Sequence, residues 1–151
     1  MNRETPGERR TRLYLQTVDR WEKEGRGAGE GRDYKPWITV HDVRSKGLRV
    51  RSWSHKTGRV HHLLSKLEFY FLLISEADPE VVDIREQYPI PVKISAACEA
   101  SFTGLRHPRL PGGIQTRVVM TTDFVLTKRV NGVNRFTARN VKYLRDHNNP
   151  K

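Results

Sequence analysis

Acidic residues are scarce in this chain. Asp and Glu number 17 against 28 Lys and Arg, a formal net charge of +11 over 151 residues. Cysteine is scarcer still. Cys98 stands alone, which excludes a disulfide framework and a Cys-based zinc cluster. Long apolar runs are missing too. The most apolar, Leu63 to Ile74, is broken by Ser65, Lys66 and Glu68, and a spanning helix needs about 20 apolar residues. The opening Met1-Asn2-Arg3-Glu4-Thr5-Pro6 lacks the apolar stretch of a secretory signal. These absences leave the expectation of a soluble, cytoplasmic domain without a membrane partner. Its charge calls for a polyanion, with nucleic acid ahead of an anionic lipid surface.

The surplus is uneven. Residues 1–60 carry 15 basic against 8 acidic side chains, residues 61–120 carry 6 against 7, and residues 121–151 carry 7 against 2. The near-neutral middle also holds most of the apolar runs. It is expected to be core, flanked by basic segments.

Residues 1–12 read as a frayed, Arg-rich start. Leu13 to Glu24 has partly helical spacing. Gly25 to Gly31 is a glycine-rich loop without the Gly-Lys-Ser/Thr ending of a phosphate-binding loop. Residues 37–40 and 49–53 read as short strands. In the second, Arg49 and Arg51 share a face. Leu64, Leu67, Phe71 and Ile74 predict a helix over about 61–76, ended by Asp78-Pro79. A strand over 81–88, a short helix over 96–105 and a loop over 106–113 follow. Residues 116–127 are strongly β-prone, Asn131-Gly132 signals a tight turn, and 136–144 is the returning strand. The class is α/β or α+β.

Three residues stand out against this frame. Glu68 lies four after Leu64 and three before Phe71, so it projects from the apolar stripe. A carboxylate there is costly unless something pairs with it. Asp123 interrupts a β-prone run. Lys142 shares a strand face with Asn140. Each alone has an ordinary structural explanation. Together, a hairpin turning at Asn131-Gly132 brings Asp123 close to Asn140 and Lys142. Two carboxylates and a lysine are the parts of metal-assisted phosphodiester hydrolysis. The carboxylates suit a hard cation such as Mg²⁺, with Mn²⁺ as a substitute. The lysine positions or deprotonates water, or stabilises charge on the phosphate. The main-chain carbonyl of Val141 is the candidate to complete the shell. Asp-x(16)-Asn-x-Lys is similar to the nuclease pattern of an acid followed by acid-x-lysine, with an amide in place of the second acid.

Longer words sharpen this. Ser54-His55-Lys56-Thr57-Gly58-Arg59-Val60-His61-His62-Leu63-Leu64-Ser65, leading to Leu67-Glu68, resembles the TnsA family, the endonuclease subunits of heteromeric transposases. So do Val82-Asp83-Ile84-Arg85-Glu86-Gln87-Tyr88-Pro89, Met120-Thr121-Thr122-Asp123-Phe124 and Asn140-Val141-Lys142. Glu24-Gly25-Arg26-Gly27, Gly31-Arg32-Asp33-Tyr34 and Pro36-Trp37-Ile38-Thr39-Val40 extend the likeness over roughly residues 20–145. The resemblance implies a restriction-endonuclease-like mixed sheet flanked by helices, over residues 36–151. A basic extension over residues 1–35 precedes it. It implies cleavage of the 5′, non-transferred strands at transposon ends. The family's glutamate, aspartate and lysine fall on Glu68, Asp123 and Lys142. Where members of the family have glutamine two before the lysine, this chain has Asn140. The implied partners are transposon-end DNA, the integrase-type (DDE) transposase subunit TnsB and the ATPase regulator TnsC. The part of the family that docks TnsC is expected to be missing here, and the catalytic domain to stop short at its C-terminal end.

Arg44, Lys46, Arg49, Arg51, Lys56 and Arg59 are the candidate phosphate contacts, with His61 as a further approach to DNA. Trp53 is read as core or as a base-stacking group, and Cys98 as buried. Asp83 and Glu86 are expected to pair with Arg85. The alternative to an endonuclease is a catalytically incomplete DNA-binding or assembly module of the same complex.

Overall fold

A computed structural model describes residues 3–44, 47–101 and 106–144. The helices are α1 (Pro6–Lys23), α2 (Lys66–Ala77) and α3 (Val92–Ser101). The strands are β1 (Val50–Ser54), β2 (Arg59–Leu63), β3 (Val81–Ile90), β4 (Met120–Val130) and β5 (Val133–Arg139). The class is mixed α+β, as expected. The strands form two sheets, β1-β2 and β3-β4-β5, and this arrangement fits a restriction-endonuclease-like fold. Among the described residues no helix is long and apolar enough to cross a membrane. The chain divides into two compact units, Met1–Arg26 with Pro89–Thr121 and Gly27–Tyr88 with Thr122–Lys151.

In the first unit, α1 starts earlier than its apolar spacing suggests. Thr5 caps it: the Thr5 hydroxyl accepts the Glu8 N–H at 3.3 Å, and the Glu8 carboxylate accepts the Thr5 N–H at 2.7 Å. This reciprocal box, followed by Pro6 in the first turn, fixes a helix start that hydrophobicity alone does not mark. Residues 6–12 are therefore helical, against the expectation of a frayed start. Tyr14 accepts the Val119 N–H at 2.7 Å, and Arg10 donates to the Pro111 carbonyl at 2.7 Å. The Cys98 thiol is exposed on α3, against the expectation of burial.

The second unit holds the apolar core. Leu63, Leu72, Val81, Ile84, Phe124 and Leu126 are buried together, with Val50, Phe69, Phe71 and Val141 packed against them. The rings of Phe71 and Phe124 lie 4.9 Å apart. β1 and β2 pair antiparallel, Arg51 opposite His62 and Trp53 opposite Val60. β4 and β5 pair antiparallel, from Phe124 opposite Arg139 to Val130 opposite Val133. Asn131 and Gly132 between them have φ of 52° and 77°, the double left-handed turn that an Asn-Gly pair favours. The Arg129 N–H donates to the Glu80 carbonyl at 2.7 Å, so the end of β4 meets the start of β3 and the two run antiparallel.

Three expectations about this unit are corrected. Residues 37–40 are not a strand. Trp37 and Val40 are buried, but this stretch, just after Pro36, makes no ladder, and the Trp37 N–H donates to the Gln87 carbonyl on β3. The helix expected from residue 61 begins at Lys66, and His61 and His62 lie on β2. Its buried side is also different. Glu68, Leu72 and Ser75 face inward, whereas Ile74 is 67% exposed. Trp53 is 54% exposed and is not a core tryptophan.

Candidate active site

Glu68 occupies the first turn of α2. Ser65 caps that helix, its hydroxyl accepting the Glu68 N–H at 3.1 Å. The Glu68 carboxylate reaches back over the turn. Oε1 accepts the Ser65 hydroxyl at 2.9 Å, and Oε2 accepts the Leu64 N–H at 2.9 Å and the Gln87 amide at 3.3 Å. The residue is 7% exposed. Burial pushes its carboxyl above the ordinary range, and the Asp123 charge adds to that rise. The hydrogen bonds from Leu64, Ser65 and Gln87 oppose it.

Asp123 lies on β4, half-buried. Its Oδ2 accepts the Val141 N–H at 2.6 Å, and Oδ1 accepts no hydrogen bond among the described residues. The Asp123 N–H in turn donates to the Asn140 amide oxygen at 3.1 Å. That oxygen also accepts the Thr122 hydroxyl at 3.0 Å. Asn140 therefore clasps the segment just past β5 onto β4. Its amide oxygen is held by two β4 donors. Asn140, Val141 and Lys142 were expected within the returning strand, but β5 ends at Arg139. Side-chain bonds continue the pairing where the ladder stops. Lys142 follows Val141 directly and is exposed.

The structure thus joins Asp123, Asn140 and Val141 by hydrogen bonds, with Lys142 next in the chain, and the Asp123 charge acts on the Glu68 carboxyl. Among the described residues, no three His, Cys, Asp or Glu side chains gather as a metal cluster. The site offers two carboxylates, and its remaining donors are main-chain and amide oxygens. An all-oxygen donor set matches a hard divalent cation. Two carboxylates close enough to raise the pKa of one supply the charge such an ion would neutralise.

Sequence reasoning missed Gln87. It sits inside β3 with φ of 47°, 3% exposed. A left-handed conformation is uncommon for a residue with a side chain, and nothing in the local sequence marks it.

The basic candidates separate into two groups. Arg59 and His61 are buried at 7% and 0% exposure, so both are corrected as DNA contacts. Arg59 forks onto Glu86, Nη1 to Oε1 at 2.9 Å and Nη2 to Oε2 at 2.6 Å, and also donates to the carbonyls of Ile84 and Gly31. His61 lies 2.7 Å from the same carboxylate through Nδ1 and 2.8 Å from the Thr57 hydroxyl through Nε2. Glu86 pairs with these groups, not with Arg85 as expected. Arg85 lies 3.4 Å from Asp83. Lys56 donates to the Ser75 and Asp78 carbonyls at the end of α2, where a cation suits the helix dipole. Arg49 donates to the Val40 and Val43 carbonyls. Arg44 and Arg51 are exposed, and Arg51 shares the outer face of β1 with Trp53. Lys46 lies outside the described residues.

Comparison with known proteins agrees with the words quoted above. No family model matches the chain. The Tn7 transposition protein TnsA of Escherichia coli is 49% identical over 104 residues, 69% of this chain and 37% of that protein. The chain belongs to the TnsA family. It spans under two fifths of the length of that TnsA relative.

Proposed function

We propose that this chain carries the catalytic site of a metal-dependent DNA endonuclease acting in transposition. The observation that supports this most is that Asp123 is bonded to the Asn140-Val141 segment leading to Lys142 and that its charge acts on the buried Glu68 carboxyl. The relative's role in Tn7 transposition and the charge of +11 point the same way. The finer reading is cleavage of the 5′, non-transferred strands at transposon ends. An integrase-type transposase subunit would act on the other strands, and an ATPase regulator would control assembly. The solution compartment is the cytoplasm.

Glu68, Asp123 and the Val141 carbonyl are the groups that would hold Mg²⁺ or Mn²⁺. When bound, such an ion supplies Lewis-acid stabilisation of charge on phosphate and lowers the pKa of bound water. The chain's own residues do the rest. The Val141 N–H fixes one Asp123 oxygen and leaves the other for a ligand. Ser65 and Leu64 fix the Glu68 carboxylate against the helix start. Lys142, next to Val141 in the chain, would meet the phosphate as a cation or, as the neutral amine, take a proton from water. Arg44 and Arg51 are the exposed cations for the DNA backbone.

In the reconstituted transposition complex, Asp123→Ala and Glu68→Ala should each abolish strand cleavage while DNA association is retained. Undiminished cleavage by both variants overturns the assignment. A second reading, a catalytically incomplete DNA-binding module, is favoured by the engagement of the Asn140 amide oxygen with β4. Calorimetry separates the two. The endonuclease reading expects Mn²⁺ binding that Asp123→Ala removes, and the other expects no binding.

A further inference from the structure

We infer that Gln87 is a positioning residue for the Glu68 carboxylate; this rests on the proposed metal site. Three observations meet at this residue. First, its backbone is left-handed, φ 47°, within β3. Glycine takes that conformation freely, and asparagine and aspartate more readily than glutamine. A long side chain kept there points to a function for that side chain. Second, Asp83 through Gln87 are all buried, so both faces of this stretch are covered. Neighbouring side chains point to opposite faces, and Glu86 meets Arg59 while Gln87 reaches Glu68. Third, the Gln87 amide donates to Glu68 Oε2 at 3.3 Å from a strand outside α2.

The acceptor count shows what this bond does. An ionised carboxylate has about four acceptor positions. The Ser65 hydroxyl, the Leu64 N–H and the Gln87 amide take three. The first two come from Leu64 and Ser65, the segment that leads into α2. Among the described residues, it is Gln87 that ties the carboxylate to the sheet that carries Asp123. It therefore sets the plane of the Glu68 carboxylate relative to Asp123 and leaves about one acceptor position for a cation. Outer-shell hydrogen bonds of this kind orient a ligand before the ion arrives.

Two variants test this in the full chain, with Mn²⁺ affinity read by calorimetry and stability by urea denaturation without metal. Gln87→Met keeps length and volume but removes the donor. Gln87→Asn tolerates the left-handed backbone but withdraws the amide by one methylene. Both should lose roughly 10–100-fold in Mn²⁺ affinity. Gln87→Asn should unfold at the parent's urea midpoint or above, so that lost affinity is separated from lost fold. Parental Mn²⁺ affinity in a folded variant of either kind overturns the inference and leaves the metal site standing. Failure of the parent chain itself to bind Mn²⁺ overturns the metal-site reading and this inference with it.

Discussion

Two buried glutamates in this unit are pushed in opposite directions. Glu68 is raised by burial and by Asp123. For Glu86, burial also acts upward, but the hydrogen bonds from Arg59 and His61 outweigh it and hold the carboxyl at about 2. The difference is the surroundings: Glu86 meets the Arg59 guanidinium, and Glu68 feels the charge of another acid. Their linkage to pH follows. Glu86 has a depressed pKa, so its stabilising contribution is complete above the ordinary value of 4.5. It is lost as pH falls from there toward 2. Glu86→Gln should lower stability at neutral pH and flatten acid unfolding over that window, read by circular dichroism across a pH series. Glu68 has a raised pKa, so its ionised form opposes folding at neutral pH. Glu68→Gln keeps an acceptor for the Leu64 N–H and removes the repulsion from Asp123. Its melting temperature without metal should rise, and the further rise that Mn²⁺ gives the parent should vanish. A fall without metal would show that the carboxylate is held by favourable pairing instead. That Glu68 is unusual was legible from its place in an apolar stripe. That Glu86 would turn to Arg59 was not, because they are 27 residues apart in the chain and meet only when β2 packs beside β3.

At the scale of elements, the hairpin was the readable part. Asn131-Gly132 has only a few compatible backbone shapes, and it set the register that brings Asp123 to Asn140. The start of α2 departs from the apolar spacing for a physical reason. Apolar spacing extends backward through Leu64, but Ser65-Lys66-Leu67-Glu68 is a serine followed three residues later by glutamate, the signature of a helix start. Weighing that signature would have put His61 and His62 on a strand. Glu68 is therefore both an end-of-helix residue and the candidate ligand, and the two roles share Ser65. Ser65→Ala removes the cap and one bond to the carboxylate. It should cost about 1 kcal/mol of stability, the usual range being 0.5–2, measured by urea denaturation. It should also weaken Mn²⁺ binding, whereas Ser65→Thr should restore both. The strand expected over 37–40 failed in a different way. Trp37 and Val40 are buried and Ile38 half-buried, but burial of apolar residues does not require a ladder.

For the molecule as a whole, the charge of +11 first pointed only to a polyanion. The structure divides those cations by what they do. Arg59 neutralises a buried carboxylate, Lys56 caps α2, and Lys128 bridges to Asp78 at 2.6 Å. None of these is a free phosphate contact, although Lys56 and Arg59 lie in the basic stretch 1–60 and Lys128 in the basic stretch 121–151. Composition could not separate them, because a lysine bonded to a carbonyl and a lysine facing water read alike. The separation has a thermodynamic signature. Each phosphate contact on duplex DNA releases counterions and adds about 0.9 to the slope of log affinity against log salt. Arg51 is exposed on the outer face of β1, so Arg51→Ala should lower that slope by about one with the fold intact. Arg59→Ala should do the reverse. It strands the Glu86 carboxylate without its cation and should cost about 3–5 kcal/mol of stability, yet the slope for the protein that remains folded should not change. Fluorescence anisotropy with a fixed duplex over a salt series reads both. An unchanged slope in Arg51→Ala, or a reduced one in folded Arg59→Ala, would mean that DNA lies on a face other than β1.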